Sequence, residues 1–521
     1  MIITASFFQV FRAILIADWR ERSRSKQFWG VLGLLMISSW WCFPPANASY
    51  LTLAFDGVYR GQYSSAWIGM VLALVYSTLL SLVGFYLVRG TLTRDFDTNV
   101  WQLLASSSLV RPVYVLAKWG SHMLTLSLFV GIGLAVGLGA QLVRGEDHVI
   151  DLLELIKPVL LLGLPALAVT AMFAVWFDVL PWLRRTRGNI IYFIIWICLL
   201  TGSIQQTASP VLDLHGWKRG PDGIVSFWRA IKRANLPELD SKSQGVQNLT
   251  VGSASREATL VRFSWTSWHP QIGDIVGAGF WIGLALLGTL LTSPFLDWAA
   301  SYPTQPELVQ DSLANGHRLR WLEVLLSPLQ LTVLGTLLSI ELQLVLRARK
   351  TWWWLTFASV LTAQAVGPKA VINLAALAAW LLLLDVFSNA PVRERDTGTA
   401  AFIFSAARAS RRIFLARWLL LLVLAWGGTL IVISRLFTTM PMAALATVVV
   451  GLSLASWSLA LGALTRSARP YELLFVVLAY ASVQDAPVLN ISSDSWATIR
   501  LHLLLMPLAA GVFLLSWRRL R

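Results

Sequence analysis

Apolar residues along this chain fall in long uninterrupted runs, not in the alternating or 3.6-residue stripes of a soluble fold. Runs of about 20 apolar residues match the length of helix needed to cross about 30 Å of hydrocarbon. They are too long and too uniformly apolar for barrel strands, so the spans are helical. In order, spans are expected at 28–45, 66–88, 120–142, 158–180, 189–206 and 275–297, then at 352–367, 370–388, 414–434, 441–464, 471–485 and 498–517. Before the first span lies an amphipathic stretch, 5–20, whose Phe7, Phe8, Phe11, Ile14 and Leu15 suit a helix lying in the membrane interface. A second interfacial helix is expected at 328–346. The polar stretch 207–272 is large enough for a small extramembrane subdomain, with a short amphipathic helix around Ile224–Leu236.

The two halves of this pattern are related. Arg94 to Trp119 and Arg393 to Trp418 align without a gap, 299 residues apart. They share Arg94/Arg393, Asp97/Asp396, Thr98/Thr397, Ser106/Ser405, Leu116/Leu415, Ala117/Ala416 and Trp119/Trp418. Asp95/Glu394 and Lys118/Arg417 keep their charge. Each interfacial helix also runs into a basic cluster, Arg20, Arg22, Arg24 and Arg347, Arg349, Lys350, with Arg22, Arg24 and then Phe28-Trp29 aligned with Arg347, Arg349 and then Trp352-Trp353. An internal repeat of this period sets the reading of the whole chain. It predicts an all-α polytopic membrane protein of twelve transmembrane helices in two parallel six-helix repeats. The first domain covers 1–298 with 207–272 as an extracytoplasmic insertion, 299–323 is a cytoplasmic linker, and the second domain covers 324–521.

Composition narrows the class. Of 521 residues, 56% are hydrophobic and only 13% charged, which excludes a soluble domain. The net charge of +15 comes from clusters beside the spans, a topology signal and not a nucleic-acid surface. With the termini, repeat loops, basic turns and linker in the cytoplasm, 28 of the 42 Lys and Arg lie inside. Cys42 and Cys198 both fall in apolar runs, where neither a disulfide nor a metal site is expected.

Chemistry is sparse. No phosphate-binding glycine loop, His-Glu-x-x-His or Gly-x-Ser-x-Gly motif occurs, so neither ATP binding nor hydrolase chemistry is expected in this chain. The six histidines, 122, 148, 215, 269, 317 and 502, are scattered. Asp178, Asp274, Asp297 and Asp385 stand near span ends, and His502 near the start of the last span reads as an interface residue with a local partner. Scarce mid-span charge argues against a carboxylate-driven carrier and favours amphiphilic or apolar cargo. What remains is the duplicated loop. A short helix follows Asp97-Thr98 and Asp396-Thr397, which are expected to cap it. A solvated topology loop and a docking element both fit one such loop; duplication of a specific pattern favours docking.

At these residues the chain resembles the ABC-2 family of ABC transporter permeases. The close match is Arg393-Glu394-Arg395-Asp396-Thr397-Gly398-Thr399, followed by Ser405, Arg412 and Arg417. The first copy, Arg94-Asp95-Phe96-Asp97-Thr98-Asn99-Val100-Trp101, departs by having Asn99-Val100 where Gly-Thr would stand, and the two docking sites are expected to be inequivalent for that reason. The interfacial helices are similar to the family's elbow helices. The resemblance implies a fused pair of transmembrane domains in a prokaryotic inner membrane, with both termini cytoplasmic. Two separate ATPase subunits would hold ATP and magnesium and receive the coupling helices at 97–108 and 396–407. The cargo would be an exported drug, peptide, lipid or glycan. A secondary transporter or channel, and a membrane scaffold, are the competing classes; broken helices would point to the first.

Overall fold

The structure is a computed structural model describing residues 7–45, 52–55, 59–107, 109–184, 186–204, 213–217, 249–250, 261–302, 324, 326–347, 349, 351–406, 409–483, 487–492 and 494–517. The helix expected at Ile224–Leu236, together with Arg185 and Lys350, lies outside these residues. The chain separates into two compact units, Met1–Thr304 and Gln305–Arg521.

In the first unit, the amphipathic stretch forms α1 (Phe7–Arg24) and the first apolar run forms α2 (Lys26–Trp41). A π-helical turn at Tyr76–Leu80 joins α3 (Ser65–Val75) to α4 (Ser81–Val88). Two short helices follow, α5 (Thr91–Asp97) and α6 (Val100–Ala105), before the 34-residue α7 (Arg111–Arg144). Then α8 (Leu152–Pro158) and α9 (Leu164–Val179) are joined by a second π turn at Val159–Gly163. The unit closes with α10 (Thr186–Ile204), α11 (Ile272–Leu290) and α12 (Leu296–Ser301). Four short strands interrupt the all-α expectation: β1 (Ala54–Phe55), β2 (Tyr59–Gly61), β3 (Leu249–Thr250) and β4 (Val261–Phe263), in the order β3-β1-β2-β4. They tie the loop after α2 to the segment before α11. At this sheet end, Arg60 lies over the Tyr63 ring and pairs with Glu146 at 2.6 Å.

The second unit holds α13 (Val333–Arg347), α14 (Thr351–Val366), α15 (Lys369–Leu382) and α16 (Leu384–Asn389). The loop pair α17 (Arg393–Asp396) and α18 (Ala400–Ile403) leads into α19 (Ala409–Gly428) and α20 (Leu430–Thr439). The last helices are α21 (Pro441–Thr465), α22 (Arg469–Val483) and α23 (Ser495–Ser516). α21 packs most extensively on α23. On the side of α21 that meets α23, Ser453 and Ala460 are buried and small, and Ser453 Oγ meets His502, which lets the neighbouring backbone approach.

Among the described residues, seven helices are long and apolar enough to cross a membrane, or eight if one bent pair counts as a span. They are Ser65–Asp97, Arg111–Arg144, Leu152–Val179, Thr186–Ser203, Ile272–Ser301, Pro441–Thr465 and Ser495–Ser516. The bent pair is α19 with α20, turned by 60°. The sequence places one straight span at 414–434; the structure breaks it at Gly427-Gly428-Thr429, where two glycines weaken the helix. Other predicted spans are helical but short. α2 has 16 residues, α14 has 16 and α22 has 15.

Candidate functional site

The duplicated loop has a detailed local geometry, and it is built the same way twice. The expected short helix is present in each unit as α6 and α18, shorter than its expected range, and a further short helix, α5 or α17, precedes it across a left-handed residue. That residue is Asn99 (φ 58°) in the first and Gly398 (φ 70°) in the second, 299 positions apart. Asparagine and glycine are the residues that tolerate this conformation best, so the departure at Asn99 from Gly398 preserves the backbone. The turn is thus alike in the two loops, while the helices on either side of it are longer in the first, seven and six residues against four and four.

Thr98 and Thr397 do not cap the helices that follow, and neither does Asp97 or Asp396. Their hydroxyls point backwards: Thr98 Oγ1 donates to Arg94 O at 2.8 Å, and Thr397 Oγ1 to Arg393 O at 3.0 Å. These bonds close the C-terminus of the preceding helix, and the left-handed residue then turns the chain. Further on, Ser106 Oγ donates to Leu103 O at 2.8 Å and Ser405 Oγ to Phe402 O at 2.6 Å.

Beneath each loop lies a cluster of ion pairs. In the first unit Lys118 of α7 is nearly inaccessible, with Nζ 2.9 Å from Asp18 of α1 and 2.7 Å from Asp95 of α5. Tyr114 OH also donates to Asp95, at 2.7 Å. Arg94 reaches Asp95 at 3.3 Å and pairs with Glu21 of α1. In the second unit the fully buried Arg417 of α19 binds Glu341 of α13 at 3.3 Å and pairs with Glu394 of α17. Arg393 binds the same Glu341 at 2.6 Å. Burial pushes the Glu394 carboxyl up, but Arg417 and then Arg393 outweigh it and hold the group below the ordinary carboxylate range.

Asp95 and Glu394 are therefore buried, with Arg94 and Arg393 reaching them from partly exposed positions. Arg94, Asp95, Arg393 and Glu394 fasten the interfacial helix to the loop and are not open docking groups. Trp101 is buried too, in a cluster with Leu92, Phe96 and Tyr114, and its indole N–H donates to Asp297 at 3.3 Å. Asp97, Thr98, Asp396, Thr397, Gly398 and Thr399 are exposed. The sequence reading missed two residues of the exposed tip, Leu103 and Phe402. They are 72% and 84% exposed, large and apolar, and again 299 apart. The repeat sets them at equivalent positions, but their neighbours are apolar too, so the sequence alone did not single them out.

The basic anchors divide. Arg20 and Arg24 are exposed, while Arg22 reaches inward, donating to Thr125 Oγ1 at 3.1 Å and Val88 O at 3.3 Å. Burial lowers its pKa to about 10, against the opposing pull of Asp18 and Asp178. Arg349 pairs with Asp385 at 2.6 Å and lies over Trp353, and Arg347 is half-buried. Asp18 and Glu341 occupy equivalent places in the two clusters. Matching them pairs Arg24 with Arg347, two residues away from the register read from the basic runs.

Asp178 is the other buried acid of this end. Its carboxylate accepts from Gly90 N at 2.8 Å and Leu92 N at 3.2 Å, satisfying the N-terminus of α5, and lies 3.7 Å from Arg89. His502 is buried, with Ser453 Oγ at 2.8 Å from Nδ1 and Val488 O at 2.5 Å from Nε2, so it has the local partners expected of it. Among the described residues no group of three or more His, Cys, Asp or Glu is arranged to hold a metal ion. No family model matches the chain, and neither a curated protein nor a solved structure matches it.

Proposed function

We propose that the chain is the membrane permease of an ATP-driven transporter of the ABC-2 type, powered by separate ATPase subunits. The observation that carries this reading is the paired loop tip. At positions 299 apart, Leu103 and Phe402 stand in solvent on the short helix just beyond a left-handed residue, and the short helix before that residue is held by buried ions to the interfacial helix. A large apolar side chain held out on a short rigid helix suits insertion into a groove of a protein partner. On this reading α6 and α18 are coupling helices, α1 and α13 are elbow helices, and each unit contributes six spans. The shorter helices α2, α14, α15 and α22 complete the twelve.

The chain carries no phosphate loop, so ATP and magnesium belong to the partner. The charge distribution supports placing loops and termini in the cytoplasm of a prokaryotic inner membrane. The few ionisable groups along the spans fit an amphiphilic or apolar cargo such as a drug, peptide, lipid or glycan, moved outward. The test is co-purification with a P-loop ATPase, starting from one encoded beside this gene. Hydrolysis should rise in the complex, and Leu103→Glu with Phe402→Glu should abolish capture while the permease stays folded. Full capture by that double variant would remove the docking reading.

One observation favours a gradient-driven carrier instead, namely the break between α19 and α20. There the buried Gln364 side chain donates to Gly428 O at 2.9 Å and Ala375 O at 3.3 Å. Discontinuous helices of this kind line binding sites in secondary transporters. Ion-driven uptake by the purified chain in vesicles, with no ATPase present, would decide for that reading.

A further inference from the structure

In the first unit, five residues without regular structure lie among the helices. Asp213, Leu214 and His215 are 0%, 3% and 1% exposed. Irregular backbone at such depth in a membrane protein is tolerated only where protein or a polar cavity surrounds it. Both are present here. His215 O accepts from Ser77 Oγ at 2.6 Å, and Trp217 Nε1 donates to Thr78 Oγ1 at 2.8 Å. His215 Nδ1 meets Ser203 Oγ at 3.2 Å, and its ring stands edge-on to Trp196. Gly216 has φ +74°, and a Cβ added there would lie 2.9 Å from the Leu162 side chain.

Ser77 and Thr78 belong to the first π turn and Leu162 to the second. Both helices therefore change their winding where the segment seats, and such single-turn widenings mark functional positions more often than ordinary helix does. Beneath the segment is a cavity of about 10 Å³ lined by Ser81, Thr170, Phe173, Tyr192, Trp196 and His215, among others. That is room for about one water. Tyr192 OH donates to Ser81 O at 2.9 Å and meets Thr170 Oγ1 at 3.3 Å, while Trp196 Nε1 donates to Thr78 O at 3.1 Å and Ser81 Oγ at 3.0 Å.

We propose that Asp213–Trp217 is a plug that seals a hydroxyl-lined chamber in the first unit. Withdrawn, it uncovers Ser77, Thr78, Ser81 and Thr170 between aromatic walls. No Asp, Glu, Lys or Arg lines the cavity, so the chamber takes water or the uncharged hydrogen-bonding part of a ligand, and not a bare ion. The proposal goes beyond the permease reading and does not depend on an ATPase.

The test is accessibility of a single cysteine in the full chain, after Cys42→Ser and Cys198→Ser remove the native thiols. Thr170→Cys lines the chamber; Ala171→Cys, fully buried one residue on, is absent from its wall. A membrane-impermeant charged methanethiosulfonate should label Thr170→Cys slowly with the plug intact. Opening the plug with Gly216→Val or Trp217→Ala should speed that labelling by about tenfold or more, as expected for release of a local segment, and leave Ala171→Cys slow. If Gly216→Val does not fold, Trp217→Ala carries the test. Unchanged labelling at Thr170→Cys, or equal acceleration at both positions, would overturn the proposal.

Discussion

Replacing Lys118 by methionine isolates what the buried cluster contributes to docking α1. The side chain keeps its length and loses its charge, leaving Asp18 and Asp95 facing each other at 6% and 9% side-chain exposure. Removing one partner of a buried ion pair costs about 3–5 kcal/mol, mostly the penalty of the charge left behind. At about 1.4 kcal/mol per tenfold, opening of α1 from the rest of the unit should rise by roughly two to four powers of ten. Hydrogen exchange of the α1 backbone amides, followed by mass spectrometry in nanodiscs, reads this as lost protection confined to α1 and its contacts. The triple change Asp18→Asn, Asp95→Asn and Lys118→Met leaves no unpaired charge and should recover most of the protection. Native-like exchange in the single variant, or a triple variant as unprotected as the single, would refute the reasoning.

Two further outcomes follow from the second cluster and from the turn. The folded-state pKa of Glu394 is held below its unfolded value of about 4.3, so its contribution is present above that pH and fades as pH falls through the folded value. Spin labels on α17 and α19, which the Glu394–Arg417 pair joins, should accordingly report loosening only below the ordinary carboxylate range, whereas Glu394→Gln should be loose above that range as well. At the left-handed position, Asn99→Val should destabilise the loop by about 1–2 kcal/mol while Asn99→Gly leaves it intact or firmer, which limited proteolysis between α5 and α6 would show.

Much of this was legible because the repeat fixes positions independently of composition. It pairs 99 with 398, 98 with 397 and 118 with 417, but the left-handed turn, the threonines' bonding backwards and the burial of the bases are read only from the structure. What local sequence does not reveal is direction. A charged residue on a short helix looks exposed until the packing turns it inward, as happens to Asp95 and Glu394. Asp18 and Glu341 escaped notice because the basic runs suggested a register two residues off. Span count suffered from a different cause: apolar content says where a helix is stable in lipid, not whether it stays straight. The glycine pair at 427–428 breaks α19, while Gly131, Gly133, Gly137 and Gly139 leave α7 continuous. The small sheet rests on strands of two and three residues paired across about 200 positions, too short to leave a periodic trace.

The contrast between α7 and α19 also has a mechanical side. At about 1.5 Å per residue α7 is an unbroken rod of about 51 Å. It holds Lys118 near one end and, near the other, Arg144, whose guanidinium donates to Phe43 O at 2.8 Å. A push on the first loop would arrive at the far end of that rod almost undiminished, as through a lever. The rod that carries Arg417 has a joint partway along, so the same push on the second loop would be spent in bending it. Identical inputs would thus give unequal strokes in the two units.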